Sequence, residues 1–283
     1  MSLHAELSAR NAHFERGDGV AEIGFAHGGQ TMVAHLYQRD PCRVLFPRSA
    51  PHDPLTAVLL MTSGGFAGGD RVRVNVQVGA NAMALVTTQA AEKFYRSLGP
   101  VARFELAADV ASGGRLEWVP QEAILFDGAA VRRQARFSVG GAGQLLASEI
   151  LVFGRLARGE SFRRGSLLDR WSIRRDGRLI WTDALKLAGD LPAIFADPAA
   201  LAGAEALGTA VYVGSRAAEL VALAREATAE ADCRAGSTLV NGLLLTRFLG
   251  DAVAVRQAVV RFLGIMRHAA LGLPPALPKV CYN

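Results

Sequence analysis

The alternation of apolar and polar residues is sharpest at 71–78, where Val72, Val74, Val76 and Val78 interleave with Arg71, Arg73, Asn75 and Gln77. A period of two puts one set of side chains on a core and the other in water, so this segment reads as a half-buried strand. Two further strand-like segments follow, GRLEWVPQEAILF at 114–126 and GQLLASEILVF at 143–153. When Val78, Val110 and Val139 are set in register, each is followed four positions later by a small residue (Ala82, Gly114 or Gly143) and then by an apolar strand; the offsets are 32 and 29 residues. Such a period suggests units stacked as a solenoid or layered sheet, although a β protein with glycine turns can produce similar echoes.

Further along, RWSIRR and RLIWTD flank Asp176-Gly177, a pair suited to a type I′ turn, and predict a β-hairpin. Residues 217–234 hold strong helix formers without Pro or Gly and read as a helix. Asn241-Gly242 before LLLTRFLG reads as a buried strand or a turn. Asp251 is placed to cap a last helix reaching about Leu271, with Arg256, Gln257, Arg261, Arg267 and His268 on one side and Val255, Val259, Phe262, Leu263 and Met266 on the other. The tail LPPALPKVCYN is too rich in proline for a helix. The expected fold is mainly β: stacked sheets of β-helix-like, solenoid-like architecture with two α-helices near the C-terminus. It forms one domain over 1–283, with a less patterned part at 1–53, a β-rich core at about 55–190 and a helix-containing part at about 191–283.

Composition supports an ordered globular chain, at 51% hydrophobic and 20% charged residues with 30 glycines. The net charge of +5 is too mild to argue for nucleic acid. Cys42, Cys233 and Cys281 are too few and too dispersed for a disulfide framework or a CxxC motif, which fits a reducing compartment. The start, MSLHAELSARNAHFERGDG, lacks an apolar leader core, and no apolar run approaches the length of a membrane span. A soluble, cytoplasmic protein is expected. His4, His13, His27, His35 and His52 share neither helical nor strand spacing, so scattered surface histidines are the simpler reading.

Candidate chemistry concentrates at 61–98. Two glycine pairs, Gly64-Gly65 and Gly68-Gly69, lead into the strand at 71–78, and a dense polar cluster follows: Thr87, Thr88, Gln89, Glu92, Lys93, Tyr95, Arg96 and Ser97. GGFAGGD lacks the Lys-Ser/Thr pair of a P-loop and precedes a strand, which argues against a phosphate site. There is no GxSxG or HExxH motif, and no Cys/His set with a recognisable local context. Carboxylates occur in the β region at Glu117, Glu122, Asp127 and Glu149, followed by Glu160 and Asp183. Outward-facing surface acids are the simpler reading of each; any that point inward require water, a partner or a cation. A standalone β-solenoid carbohydrate-active enzyme or binding module would draw on Glu117 and Glu122, but their odd separation sets them on opposite faces of a straight strand. Eight arginines at 155–178 form either a solvated face or a docking surface for an acidic partner.

Four blocks in order, GGDRVRVNVQVGANAMALVTTQAAEKFYRS, LEWVPQEAILFDGA, SEILVFGRLARGESF and NGLLLTRFLG, resemble the urease accessory protein family UreD, called UreH in some organisms. The resemblance covers roughly residues 60–280. It departs at the tail, where Lys279, Val280 and Cys281 replace the family's usual Arg-Ile-Trp, and before the first glycine pair, where Thr62 and Ser63 stand in place of prolines. The resemblance implies a non-enzymatic scaffold that binds urease apoprotein, recruits the GTPase UreG through UreF, and passes nickel through an internal channel. No cofactor is held tightly; nickel is in transit. Within that expectation Glu122, Asp127 and Glu149 are candidates for the nickel path. Thr87, Thr88, Gln89, Glu92, Lys93, Tyr95 and Arg96 are candidates for channel or partner contact.

Overall fold

The computed structural model describes residues 16–282; His4, His13 and the remainder of 1–15 lie outside them. Among the described residues the strands run, in chain order, β1 (Asp18–His27), β2 (Thr31–Arg39), β3 (Cys42–Leu45), β4 (Leu55–Met61), β5 (Arg71–Val78), β6 (Met83–Thr88), β7 (Glu92–Phe94), β8 (Ala102–Val110) and β9 (Arg115–Trp118). They continue as β10 (Ala123–Leu125), β11 (Ala130–Val139), β12 (Gln144–Phe153), β13 (Ser166–Arg175), β14 (Arg178–Leu187), β15 (Ala206–Val213), β16 (Arg234–Val240) and β17 (Leu243–Gly250). The α-helices are α1 (Leu191–Ala196), α2 (Val221–Ala229) and α3 (Ala252–Leu271).

The strands form two sheets. Sheet A has the order β14-β13-β11-β8-β5-β1-β2, and sheet B the order β16-β17-β15-β12-β9-β6-β4-β3, with β10 and β7 attached beside β12. The chain passes from A to B and back, so β5, β8 and β11 are parallel neighbours in A while β6, β9 and β12 are parallel neighbours in B. Parallel strands need a crossover, and here the opposite sheet supplies it in place of a helix. The sequence echo is one coil of this stack: Val78, Val110 and Val139 are direct register partners. The amide of Arg115 donates to the Ala82 carbonyl and that of Gln144 to Gly114, both at 2.9 Å.

One core lies between the sheets and contains the four valines of β5 with Leu106, Trp118 and Phe137. A second lies between sheet B and the helices and contains Leu146, Tyr212, Phe248, Val259 and Phe262. The centre of sheet B is therefore buried on both faces, which is why QLLASEILVF is buried almost continuously along its length while β5 alternates. The Asp176-Gly177 hairpin has φ of 50° and 77°, and Asn241-Gly242 makes a second with 46° and 81°, the positive values a type I′ turn requires. Asp251 caps α3 by accepting from the amides of Val253 and Ala254, both at 2.9 Å.

Three features depart from the sequence reading. Residues 1–53 are less featureless than expected, because β1–β3 lie within them; β2 is an edge strand exposed on both faces, with no buried face to imprint a period. The segment 114–126 is two strands, interrupted where the amide of Gln121 turns to donate to the Thr88 hydroxyl. The six-residue α1 was not expected, being too short to show a helical period, and α2 is shorter than 217–234 because the chain leaves it to enter β16. Among the described residues no helix is long and apolar enough to cross a membrane.

Candidate functional site

The glycine loop is folded down onto β7. The Phe66 amide donates to the Lys93 carbonyl at 2.7 Å, the Tyr95 amide to Phe66 at 2.8 Å, and the Tyr95 hydroxyl to the Gly64 carbonyl at 2.9 Å. A Cβ on Gly65 would lie 2.6 Å from the Lys93 carbonyl oxygen, so glycine is needed for this approach. Much of the polar cluster thus serves architecture. Thr87 and Thr88 are buried, and the Thr88 hydroxyl joins Gln121 to the Ala90 carbonyl. The Gln89 amide donates to Leu59, and Arg96 lies across Gly128. Glu92 differs. It is half-buried in a cavity of about 160 Å³ whose walls include Met61, Gly65, Thr88, Gln89 and Lys93. Among the described residues no side-chain hydrogen bond or ion pair reaches its carboxylate. Burial pushes its pKa up to about 7, against the pull of Arg133.

Arg133, on β11, begins a line of ionisable groups in the layer between the sheets. Its guanidinium pairs with Glu149 of β12 and, at 3.3 Å, with Asp169 of β13, while the Trp171 indole donates to Glu149 at 3.0 Å. The guanidinium also lies 5.7 Å from the Phe104 ring centre. Its Nε is buried with no hydrogen-bond partner among the described residues. Burial, reinforced by nearby Asp183, raises the Asp169 carboxyl above its usual range, with Arg133 and Arg247 opposing. Asp183 pairs with Arg247, which also donates to the Thr209 hydroxyl at 2.7 Å. The line thus runs from Glu92, facing a cavity, through Arg133, Glu149 and Asp169 to the half-exposed pair Asp183 and Arg247. Arg133, Glu149, Asp169, Asp183 and Arg247 are held out of open water by pairing with one another, whereas Glu92 at the end of the line has no such partner among the described residues.

Sequence reasoning named Glu149 and Glu92 but missed Arg133 and Asp169. The signal was present in strand parity. Arg133 shares the inward face of Val131, Ala135 and Phe137, and Asp169 that of Leu167, Trp171 and Ile173. Glu149 and Glu117, for which an outward position was the simpler reading, are both buried.

The remaining acids lie elsewhere. Arg267 of α3, assigned by helical period to the polar side, has no solvent exposure. It grips Glu117 through two hydrogen bonds of 3.0 and 3.1 Å, reaches Asp53 at 3.2 Å, and donates to the carbonyls of Pro274 and Ala276. The C-terminal tail and Asp53 cover that side of the helix, which a period along α3 alone cannot reveal. Burial pushes the Glu117 carboxyl up while Arg267 pulls it down. Glu122 pairs with Arg256 of α3 at 2.6 Å. Glu117 and Glu122 therefore both face α3, contrary to the straight-strand expectation, because the chain breaks between β9 and β10. With Glu117 sealed under Arg267, they are not an open pair of carboxylates flanking a sugar bond.

Asp127 accepts from the amides of Arg163 and Arg164 at 3.0 and 2.8 Å and from the Arg164 side chain. These bonds hold its carboxyl below the usual range despite some desolvation. Glu122, Asp127 and Glu149 thus occupy three separate settings, and only Glu149 lies in the interior line. Among the described residues no group of three or more His, Cys, Asp or Glu is arranged to hold a metal ion. Burial pushes the Cys42 thiol up to about 12 and the Cys281 thiol to about 11, so neither offers a thiolate at neutral pH.

Residues 17–282 match the family model described as UreD urease accessory protein. The chain is 41% identical over 269 residues to "Urease accessory protein UreD" of Magnetococcus marinus, covering 93% of each chain. It is 41% identical over 282 residues to a protein of the same description from Rhodopseudomonas palustris, covering 98% of this chain and 99% of that one. Against the corresponding protein of Xanthobacter autotrophicus the identity is 39% over 259 residues, covering 91% and 89%. With the four sequence blocks placed on the two packed sheets and homology extending over nearly its whole length, the chain belongs to the UreD family of urease accessory proteins.

Proposed function

We propose that this chain is a non-catalytic assembly factor that binds urease apoprotein, carries UreF and through it UreG, and conducts nickel through its interior toward the urease active site. The observation that carries this reading is the line of ionisable groups between the sheets. Carboxylate oxygens spaced along a line, rather than gathered into one site, hold a divalent cation weakly at each step, and a conduit must release its ion. Glu92 offers an unpaired carboxylate at a cavity; Glu149, Asp169 and Asp183 follow. Arg133 sits between Glu149 and Asp169 where a cation would be attracted, so passage requires its guanidinium to move aside. Glu122 and Asp127, each held by an arginine outside the line, serve folding or partner contact before ion transfer. Lys93 and Arg96 are exposed near the cavity and, with Tyr95, form the contact edge for a partner.

The test co-expresses urease and its accessory proteins with either Glu149→Gln or a combined Glu122→Ala and Asp127→Ala variant. Glutamine retains an acceptor for Trp171 but removes the charge. Glu149→Gln is expected to lower nickel per urease several-fold while the complex still co-purifies. Unchanged nickel content would remove Glu149 from the route. Failure of the unaltered chain to co-purify with urease components would refute the assembly reading itself.

A further inference from the structure

Among the described residues no helix packs on the outer face of sheet A: α2 and α3 pack on strands of sheet B. Largely parallel sheets usually have both faces covered, so an open face requires a reason. Its residues are set by register. Arg71, Arg103 and Arg132 are direct partners on β5, β8 and β11, and Lys186 of β14 continues the row beyond Leu168. In the next row, two residues along, lie Arg73, Glu105, Gln134 and Arg170. Arg71 is satisfied by Glu105 at 3.1 Å and Arg73 by Asp18 at 2.9 Å. Arg103, Arg132 and Arg170 are exposed, and among the described residues none pairs with a carboxylate.

Like charges on neighbouring strands, about 4.8 Å apart, repel and cost stability. A stack that repeats arginine at the same rung on three successive coils keeps that cost in the free protein, and an anionic partner would remove it. The choice of cation points the same way. Only Lys93, Lys186 and Lys279 among the 31 basic residues are lysine. Arginine's planar fork matches carboxylates in bidentate fashion and is enriched at protein interfaces. The two rows contain no aromatic residue on which bases could stack and no large exposed apolar group for insertion into a lipid surface.

We infer that the outer face of sheet A, centred on Arg103, Arg132 and Arg170, is a docking surface for a protein partner presenting a row of carboxylates. This deepens the assembly reading and rests on it only for the identity of the first partners to test. The experiment compares the unaltered chain with a triple variant, Arg103→Glu, Arg132→Glu and Arg170→Glu. A control with the same change in charge elsewhere carries Arg48→Glu, Arg225→Glu and Lys279→Glu. All six side chains are exposed, and thermal melts establish that each variant is folded.

Anisotropy with a fluorescein-labelled oligoglutamate peptide measures the chemistry; a DNA duplex and phosphatidylserine vesicles are the competing probes. Co-purification with co-expressed urease and its accessory proteins measures the assembly. The triple variant is expected to lose at least about tenfold in oligoglutamate affinity and a similar share of the co-purified complex, while the control retains both. Equal binding and equal co-purification by the two variants would overturn the inference, as would tighter binding of DNA or vesicles than of oligoglutamate. If the unaltered chain captures no urease component, the assembly reading fails; a selective loss of oligoglutamate binding in the triple variant would still support an acidic-protein surface.

Discussion

Glu92 makes folding stability depend on pH in a direction opposite to that of a salt-bridged acid. Its pKa is about 7 in the fold against an ordinary 4.5, because the carboxylate leaves water for the cavity wall without gaining a hydrogen bond, and Arg133 only partly offsets this. The folded chain therefore binds the proton more tightly than the unfolded chain. Glu92 costs nothing below about pH 4.5, costs progressively more as the pH rises toward about 7, and reaches a constant penalty above that. At 1.36 kcal/mol per pKa unit the full penalty is roughly 3 kcal/mol. Glu92→Gln keeps the shape and removes the titration. It should therefore be more stable than the unaltered chain at pH 8 and about equal to it at pH 4.5. At about 2–4 °C per kcal/mol for a chain of this class, the gain at pH 8 is roughly 6–12 °C in Tm. Thermal melts of both proteins across this pH range measure it. A Tm difference that does not change with pH, or a less stable variant at pH 8, would refute the claim that Glu92 is an unpaired carboxylate in a desolvated cavity.

Two further perturbations test the remaining buried features. Arg267→Ala strands Glu117 in the core and should cost about 3–5 kcal/mol in urea denaturation, whereas Arg267→Met combined with Glu117→Leu should recover most of that loss because no charge is left behind. Recovery by the double change separates an unpaired charge from simple loss of packing. Gly65→Ala places a methyl group 2.6 Å from the Lys93 carbonyl oxygen and should cost about 1–3 kcal/mol, read as a lower denaturation midpoint with an unchanged m-value.

The parity of strand residues is the most informative signal in the chain. It located β5, and it would have placed Arg133, Glu149 and Asp169 inside had the charged residues been counted with their apolar neighbours. A charged residue at an inward position can equally mark a bulge or a strand end, and the partner that decides between these lies on another strand. Glu149 and Arg133 are 16 residues apart, whereas Glu117 and Arg267 are 150 apart. No local pattern predicts such a meeting.

What the sequence determined by itself was local and periodic: the alternation of β5, the two hairpin turns, the cap of α3, and the spacing of about 30 residues that became one coil of the stack. These follow from backbone geometry and from burial of one face, which neighbouring residues suffice to encode. Tertiary structure alone decided which faces were covered. The tail and Asp53 turned the polar side of α3 into an interior, the break before β10 turned Glu122 toward the same helix as Glu117, and the stacking of coils set arginines from three strands in one row. Each outcome depends on what a distant segment lays over a residue, because burial and electrostatic partnership are properties of the assembled layers.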